Sequence, residues 1–171
     1  MKRRAASNRI YEKQELVPES SPVLITGGAG FIGTNLAKRY LSSGQRVRIF
    51  DNFSRKGISK NYECLKSLYG KLLELHKGDV RDSHAVKEAV HDVSRVFHFA
   101  AQVAVTTSVM KPVEDFEINA RGTLNVLEAI RACQKPVPVL FTSTNKVYGA
   151  LHDIPLEMSE NRYQPESRQL L

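Results

Sequence analysis

The residues that most clearly indicate chemistry are the glycines of TGGAGFIG, which occupies residues 26–33. They fit the spacing Gly28-x-Gly30-x-x-Gly33, or Gly27-x-x-Gly30-x-x-Gly33 one residue earlier. In either alignment the first glycine allows a tight turn, Gly30 has no Cβ to obstruct a phosphate, and Gly33 allows close helix packing. Amides at the start of that helix would bind the diphosphate of a dinucleotide. The alternative is a tight turn that needs glycine only for its backbone angles.

A carboxylate, Asp51, follows at close to the spacing of about 20 residues at which an acid reaches the ribose hydroxyls of such a ligand. A negative charge there repels the additional phosphate of NADP, so the sequence favours NAD. Arg55 and Lys56 lie nearby and would weaken that preference by attracting a phosphate. The alternative role for Asp51 is an Asx turn with Asn52, and the two roles are compatible.

Two further groups follow predicted strands. Asp79 and Val80 are placed to meet the adenine edge of the ligand, although a helix N-cap is an equally good account of the neighbouring Asp82 or Ser83. Ala100 and Ala101 have small side chains where a cofactor would pass close to the backbone. The alternative for these alanines is tight packing under a helix.

The elements that position these residues are predicted to alternate between strand and helix. An apolar strand, Val23-Leu24-Ile25, precedes the glycines, and Ile32, Leu36 and Tyr40 form a helix face after them, beside Phe31, Ala37 and Leu41, until Gly44. Further strands are predicted at residues 46–50, 72–76, 95–100 and 137–143. The intervening helix faces are Tyr62, Leu65 and Leu68; Ala85, Val86, Ala89 and Val90; and, after Pro112, Val113, Phe116, Ala120, Leu124 and Leu127.

This order predicts an α/β fold, a doubly wound parallel sheet of the Rossmann type, whose ligand lies beyond the carboxyl ends of the strands. We expect residues 1–21 to form a flexible basic tail and residues 22–149 to form the NAD-binding domain. Residues 150–171 would begin a catalytic and substrate-binding region. The last strand would expose an unpaired edge. An organellar transit peptide is a less favoured interpretation of the tail, because it contains Glu12, Glu15 and Glu19.

Composition limits the class of protein. The chain has 171 residues, of which 42% are hydrophobic and 25% charged, values typical of a globular domain. No apolar run is long enough to span a membrane. The net charge is +7, basic residues cluster in the tail, and basic residues do not alternate with aromatic ones at the spacing of a nucleic-acid platform, so we expect no nucleic-acid binding. Cys64 and Cys133 have no metal-ligand or redox spacing, which predicts reduced cysteines in a cytoplasmic protein without a metal site. His98 is predicted to be a packed core residue.

Six segments of the sequence resemble the successive motifs of the extended short-chain dehydrogenase/reductases, the NAD-dependent nucleotide-sugar epimerases and dehydratases. The segments are TGGAGFIG, DNFSRKG (51–57), GDVRD (78–82), HFAAQ (98–102), NARGT (119–123) and TSTNKVYG (142–149). Within that family, AQVAVTTS (101–108) and STNKVYG are similar to the CDP-paratose 2-epimerases, also called CDP-tyvelose epimerases. The resemblance extends from Pro22 to about Tyr163.

The resemblance implies that NAD⁺ removes hydride from a sugar carbon and that NADH returns it to the other face. Thr144 matches the family's catalytic hydroxyl, although a strand-end hydroxyl that caps a turn is the alternative. Together with the motif positions, the resemblance implies a cofactor-binding set of Gly27, Gly30, Phe31, Ile32, Gly33, Asp51, Asn52, Ser54, Arg55, Asp79, Val80, Ala100, Ala101, Gln102 and Asn119. The substrate would be a CDP-linked deoxyhexose, and the full-length protein would be a possible homo-oligomer.

The catalytic tyrosine and lysine of the family lie in a Tyr-x-x-x-Lys motif on a later helix, which excludes Tyr148. After Tyr148 the next tyrosine is Tyr163, and Ser167 stands four positions beyond it. We therefore expect a chain truncated before the substrate-binding portion, with little or no turnover by itself. Two other interpretations remain open: a non-catalytic NAD-binding remnant, or another family member such as a UDP-hexose 4-epimerase or sugar-nucleotide 4,6-dehydratase.

Overall fold

The computed structural model describes residues 21–144, 147, 149 and 154–166. The predicted tail up to residue 20, Tyr148 and Ser167 lie outside the described residues. The chain divides into two compact units, and the division falls between Phe141 and Thr142. No helix among the described residues is long and apolar enough to cross a membrane.

The first unit is a five-stranded parallel sheet in the order β3-β2-β1-β4-β5. Its strands are β1 (Val23–Thr26), β2 (Val47–Asp51), β3 (Leu73–Lys77), β4 (Arg95–His98) and β5 (Val139–Phe141). Its α-helices are α1 (Phe31–Ser42), α2 (Ser59–Tyr69), α3 (Ser83–Val90), α4 (Val105–Met110), α5 (Pro112–Phe116) and α6 (Gly122–Arg131). A 3₁₀ turn (Gly70–Leu72) follows α2, and a π-helical turn (Glu117–Arg121) joins α5 to α6.

The central strand, β1, explains why helices cover both faces of the sheet. All four of its residues are buried, and successive side chains point to opposite faces. Val23 and Ile25 pack in a cluster with Ala37 and Leu41 of α1. Leu24 packs in the second cluster, which includes Val86, Ala89 and Val90 of α3 and Val126 and Ala129 of α6. The predicted doubly wound parallel sheet is confirmed.

The helix that follows Pro112 differs most from its predicted form. The predicted inner face is wrong, because Val113, Phe116, Leu124 and Leu127 are exposed. The buried residues are instead Gly122, Val126 and Ala129. Glycine allows close packing at the start of α6: a Cβ built on Gly122 would lie 2.7 Å from Cγ2 of Val80, a core residue in the loop after β3.

Smaller differences have related causes. Phe31, Ile32 and Leu68, which the apolar spacing placed on or beside helix faces, are exposed, whereas Gly33 lies on the buried face of α1. The predicted face of α3 is confirmed for Val86, Ala89 and Val90. Strand β5 is shorter than predicted, and it lies at the edge of the sheet with all three side chains exposed.

The second unit begins at Thr142 and contains an antiparallel hairpin that the sequence pattern did not predict. Its strands are β6 (Leu156–Ser159) and β7 (Arg162–Pro165). Glu160 in the connecting turn has a φ of 51°, a conformation usually taken by glycine or asparagine. The turn is Glu160-Asn161, and the position with positive φ holds glutamate, so the hairpin has only a weak sequence signal.

A buried histidine joins β1, β4 and α6, and the prediction that His98 is a core residue is confirmed. His98 is 2% exposed; its Nδ1 lies 2.6 Å from Oγ1 of Thr26, and its Nε2 lies 3.0 Å from Oγ1 of Thr123. The Thr123 hydroxyl donates to the carbonyl of Asn119, so it accepts a hydrogen bond from Nε2–H. Nδ1 then accepts a hydrogen bond from the Thr26 hydroxyl. The buried ring is therefore neutral, and burial lowers the pKa of His98 to about 4.

This pKa gives a testable dependence of stability on pH. The unfolded chain binds more protons at His98 between pH 6.5 and about 4, because its imidazole has the ordinary pKa there. The His98 contribution should be complete above pH 6.5 and should decrease toward pH 4, by up to about 3 kcal/mol. Urea unfolding at pH 7, 6, 5 and 4 measures it. His98→Gln removes the titrating group, so an equal acid loss of stability in this variant would contradict the prediction.

Candidate dinucleotide-binding site

The glycine turn (residues 27–30) lies between the end of β1 and the start of α1. Gly27 has a φ of 67°, its N–H donates to the carbonyl of Phe50, and Gly30 N–H donates to the carbonyl of Gly27. A Cβ on Gly33 would lie 2.6 Å from Cα of Gly28 and would also overlap the carbonyl of Gly27. Helix α1 can therefore approach the turn only because residue 33 has no side chain.

Gly30 has a different environment from Gly33. A Cβ built on Gly30 would have one neighbour within 4 Å, the Gly27 carbonyl oxygen at 3.2 Å. The space beyond it is otherwise open. This is the geometry expected where a diphosphate passes the turn, because a side chain would fill the space that the ligand needs. The glycine turn thus fits the predicted dinucleotide.

The start of α1 supplies the groups that would bind a diphosphate. The amide of Thr34 donates to the carbonyl of Gly30 at 2.8 Å, which closes the first helical turn. The amides of Phe31, Ile32 and Gly33 precede it at the positive end of a 12-residue helix. No side chain caps this end, and its first turn contains no acidic residue. The helix start therefore suits an anionic ligand.

Asp51, at the end of β2, has two backbone partners. Oδ2 accepts from the N–H of Ala29 at 3.1 Å, and Oδ1 accepts from the N–H of Phe53 at 2.9 Å. The second bond is an Asx turn, so the structural role considered for Asp51 exists, with the residue after Asn52 as its donor. A carboxylate has about four acceptor positions, which leaves two for ribose hydroxyls. Asp51 is also 8% exposed, so its orientation is fixed by the fold.

Asp79, at the end of the loop after β3, has more partners than Asp51. Its Oδ1 accepts from backbone N–H and Nε of Arg81, and its Oδ2 accepts from Nη2 of Arg81 and Nδ2 of Asn52. The Arg81 hydrogen bonds are the main reason that the pKa of Asp79 lies far below its ordinary value. All four acceptor positions are in use. Asp79 must release a partner before it accepts a hydrogen bond from adenine.

Two neighbours of Asp79 have structural roles. Val80 is 5% exposed and packs in the core, so its side chain does not face the crevice at the strand ends. Asp82 caps α3 by accepting from the N–H groups of His84 and Ala85, as the N-cap interpretation expected. Contact of Val80 with a ligand stays a prediction.

The β4 loop (residues 99–104) approaches the glycine turn closely. A Cβ on Gly27 would lie 2.8 Å from the amide nitrogen of Ala100. Ala100 is half-buried at this contact, and Ala101 is exposed. The small residues therefore lie at the junction of turn and loop, where both predicted roles, close packing and close passage of a ligand, are compatible.

Asn119, on the π-helical turn, holds the β4 loop. Its Oδ1 accepts from Gln102 N–H at 2.8 Å, and its Nδ2 donates to the carbonyl of Gln102 at 3.0 Å and to Oδ1 of Asp115 at 3.2 Å. The Gln102 side chain folds back on its own loop, since its Oε1 accepts from Val103 N–H. Both predicted binding residues thus position the backbone of the loop, and direct contact with a cofactor stays a prediction.

The remaining predicted residues lie in two places. Ser54 N–H donates to Oδ1 of Asn52, and Arg55 is exposed in the same loop after β2. Thr144 belongs to the second unit, where its carbonyl accepts from Val147 N–H. The catalytic role of Thr144 stays a prediction.

Several site residues were missed by sequence reasoning. Asn61 of α2 donates to the carbonyl of Ala29 and so supports the glycine turn, and Arg81 occupies the acceptor positions of Asp79. The two-residue spacing of Asp79 and Arg81 was a usable signal for a local ion pair.

Tyr62 and Lys66 of α2 also have the spacing of a Tyr-x-x-x-Lys motif. The Lys66 ammonium lies 6.0 Å from the centre of the Tyr62 ring. Among the described residues, no cluster of His, Cys, Asp or Glu is arranged to hold a metal ion.

Comparison with known proteins finds similarity over most of this chain. Residues 24–168 match the model of the GDP-mannose 4,6 dehydratase family. The chain is 46% identical over 143 residues to the CDP-paratose 2-epimerase of Salmonella typhi, and the alignment covers 82% of this chain and 42% of that protein.

Two solved structures are similar as well. The UDP-glucose 4-epimerase of Thermus thermophilus, in complex with NAD, matches 64% of this chain and 33% of its own with a TM-score of 0.55 and 39% identity. The UDP-glucose 4-epimerase of Stenotrophomonas maltophila, with bound NAD and formylated UDP-arabinopyranose, matches 75% of this chain and 38% of its own with a TM-score of 0.68 and 28% identity. The chain spans less than half the length of each of these proteins. From its motifs, its sheet and the family model that it matches, this chain belongs to the GDP-mannose 4,6-dehydratase family of extended short-chain dehydrogenase/reductases.

Proposed function

We propose that this chain binds NAD and forms the cofactor-binding part of an epimerase of CDP-linked deoxyhexoses. The observation that carries the proposal is the open space beside Gly30 in front of the uncapped start of α1. The relatives with bound NAD support the choice of dinucleotide. The identity to the Salmonella typhi enzyme supports the choice of CDP-sugar.

When bound, NAD supplies oxidation and reduction at a sugar carbon by accepting and returning a hydride. The residues of this chain bind and orient. Amides of Phe31 and Ile32 would hold the diphosphate, and the two remaining acceptor positions of Asp51 would take ribose hydroxyls. Thr144 would hold the sugar oxygen through its hydroxyl. Residues 22–149 would form the NAD-binding domain, and residues 150–171 would begin the substrate region.

A second candidate is a non-catalytic NAD-binding chain. Its basis is that the 171 residues include Thr144 without a Tyr-x-x-x-Lys motif after it, so this part of the sequence would bind the cofactor without the family's base. A neutral tyrosine has a pKa near 10, and a neighbouring ammonium is the group that would let it act as a base near neutral pH. A UDP-hexose 4-epimerase or a 4,6-dehydratase is the alternative within the same class, supported by the family model and the two 4-epimerase structures.

We also propose self-association of the full-length protein and a cytoplasmic location. Large apolar side chains lie exposed along α4, α5 and α6: Val105, Val109, Met110, Val113, Phe116, Leu124 and Leu127. The same surface of a second copy would remove them from water. A monomer in sedimentation of the full-length protein would contradict this.

The free thiols of Cys64 and Cys133 support the proposed cytoplasmic location, because the cytoplasm is a reducing compartment. Cell fractionation would test this location.

The two glycines give opposite mutational predictions. Gly30→Ala should reduce NAD⁺ affinity about tenfold or more with little loss of stability, because its Cβ enters the space for the diphosphate. Gly33→Ala should reduce the free energy of unfolding by about 3 kcal/mol, because its Cβ overlaps the backbone of the turn. Calorimetric titration with NAD⁺ and urea unfolding measure the two effects. Wild-type affinity in Gly30→Ala would exclude the proposed path of the diphosphate.

Asp51→Asn tests the choice between NAD and NADP. The substitution removes the negative charge that repels the additional phosphate, so the ratio of NAD⁺ to NADP⁺ affinity should decrease about tenfold. Asp92→Asn is the matched control, because Asp92 is an exposed acid with a φ of 60° that asparagine tolerates. An unchanged ratio in Asp51→Asn, or an equal change in both variants, would exclude Asp51 as the discriminating residue.

The catalytic prediction concerns the chain by itself. Incubated with NAD⁺ and either CDP-tyvelose or CDP-paratose, the 171-residue chain should give little or no epimerisation, because one of the three expected proton-handling residues is present. Chromatography of the sugar nucleotides measures conversion, and a full-length family epimerase assayed in parallel provides the positive control. Rapid conversion by the chain would show that the missing motif is not needed.

A further inference from the structure

We propose that His98 is a positioning residue for NAD binding: its imidazole holds both ends of the segment from Phe99 to Gln102 against the glycine turn. The proposal rests on the proposed binding of NAD in this crevice. It concerns a residue that lies behind the crevice, so it acts through the backbone that it holds.

The hydrogen bonds around His98 form a series in which each group donates to the next, from the β4 loop through Thr26 and the ring to Thr123. The N–H groups of Phe99 and Ala100 donate to Oγ1 of Thr26, each at 3.2 Å. The Thr26 hydroxyl donates to Nδ1 of His98, and Nε2–H of His98 donates to the Thr123 hydroxyl. Every donor and acceptor in this series has a partner, provided that the ring is neutral and protonated at Nε2.

The first end of the segment is held through Thr26. Its hydroxyl oxygen accepts two amides of the β4 loop and therefore needs to donate its own proton elsewhere. Nδ1 of His98 is the acceptor, at 2.6 Å. At this end, a Cβ built on Gly27 would lie 2.8 Å from the amide nitrogen of Ala100. The Ala100 backbone therefore lies close against the backbone of the glycine turn.

The second end of the segment is held through Thr123. Its hydroxyl donates to the carbonyl of Asn119 at 2.6 Å, while the Asn119 side chain binds both backbone groups of Gln102. The ring of His98 therefore bonds directly to β1 and α6, and the Thr123 hydroxyl connects it to Asn119 of the π-helical turn. An apolar residue of the same size would fill the volume but would leave the Thr26 and Thr123 hydroxyls without this partner.

Two substitutions separate the two hydrogen bonds of the ring, because each keeps one of them. His98→Asn keeps an acceptor near Nδ1 for Thr26, and His98→Gln keeps a donor near Nε2 for Thr123. Thr123→Val removes the second end without changing the ring. Val96→Ala is the matched control, because Val96 is a buried residue of the same strand that contributes packing to the core.

The experiment uses the 171-residue chain and titration calorimetry with NAD⁺, at a temperature where circular dichroism shows each variant to be folded. We expect both His98 variants and Thr123→Val to bind NAD⁺ about tenfold or more weakly, and Val96→Ala to bind like the wild type despite its lower stability. In the double variant that combines His98→Asn with Thr123→Val, the loss of binding free energy should be smaller than the sum of the two single losses, since the two residues act through one network.

An independent measurement is the nitrogen-15 NMR spectrum of the histidine rings. It should show His98 as the Nε2–H form with no titration between pH 5 and 8. A charged or Nδ1–H ring, wild-type affinity in the folded His98 variants, or an equal loss in Val96→Ala would each overturn the inference alone. A wild-type chain that does not bind NAD⁺ would overturn the proposed function together with it.

Discussion

The contact between Gly33 and the backbone of Gly27 and Gly28 is the constraint on which the rest of the site depends. It brings the first turn of α1 directly onto the end of β1, so the amides of Phe31 and Ile32 open toward the carboxyl ends of the strands. A second contact of the same kind joins Gly27 to Ala100. The turn is thus enclosed by backbone on two sides, and Gly30 is the position that stays open.

Polar side chains at the strand ends are bound mostly to one another or to the backbone. Asp51 is fixed by Ala29 and Phe53, Asp79 by Arg81 and Asn52, and Asn119 by its bonds to Gln102. Such internal partners orient the side chains before a ligand arrives, which reduces the ordering cost of binding. They also distinguish the two acids: Asp51 has acceptor positions left, and Asp79 has none.

Local patterns predicted the part of the fold that local sequence determines. The strand, glycine turn and helix from Val23 to Ser42 follow from β-branched residues, glycines and a four-residue apolar spacing, and the structure contains them. The orientation of the helix after Pro112 depends on which face can approach the sheet, which periodicity does not report. The position of the His98 ring between two threonines depends on tertiary contacts, which local patterns do not report. The pairing of Asp79 with Arg81 is local, and sequence reasoning missed it although the two-residue spacing was a usable signal.

The π-helical turn limits how this part of the chain can change in length. A π turn contains one more residue than an α-helical turn, and each residue of an α-helix rotates the following side chains by about 100°. An α-helical turn in place of Glu117–Arg121 would contain one residue fewer and would change the position of Asn119 relative to Gln102. The additional residue of the π turn therefore contributes to placing Asn119 against the β4 loop.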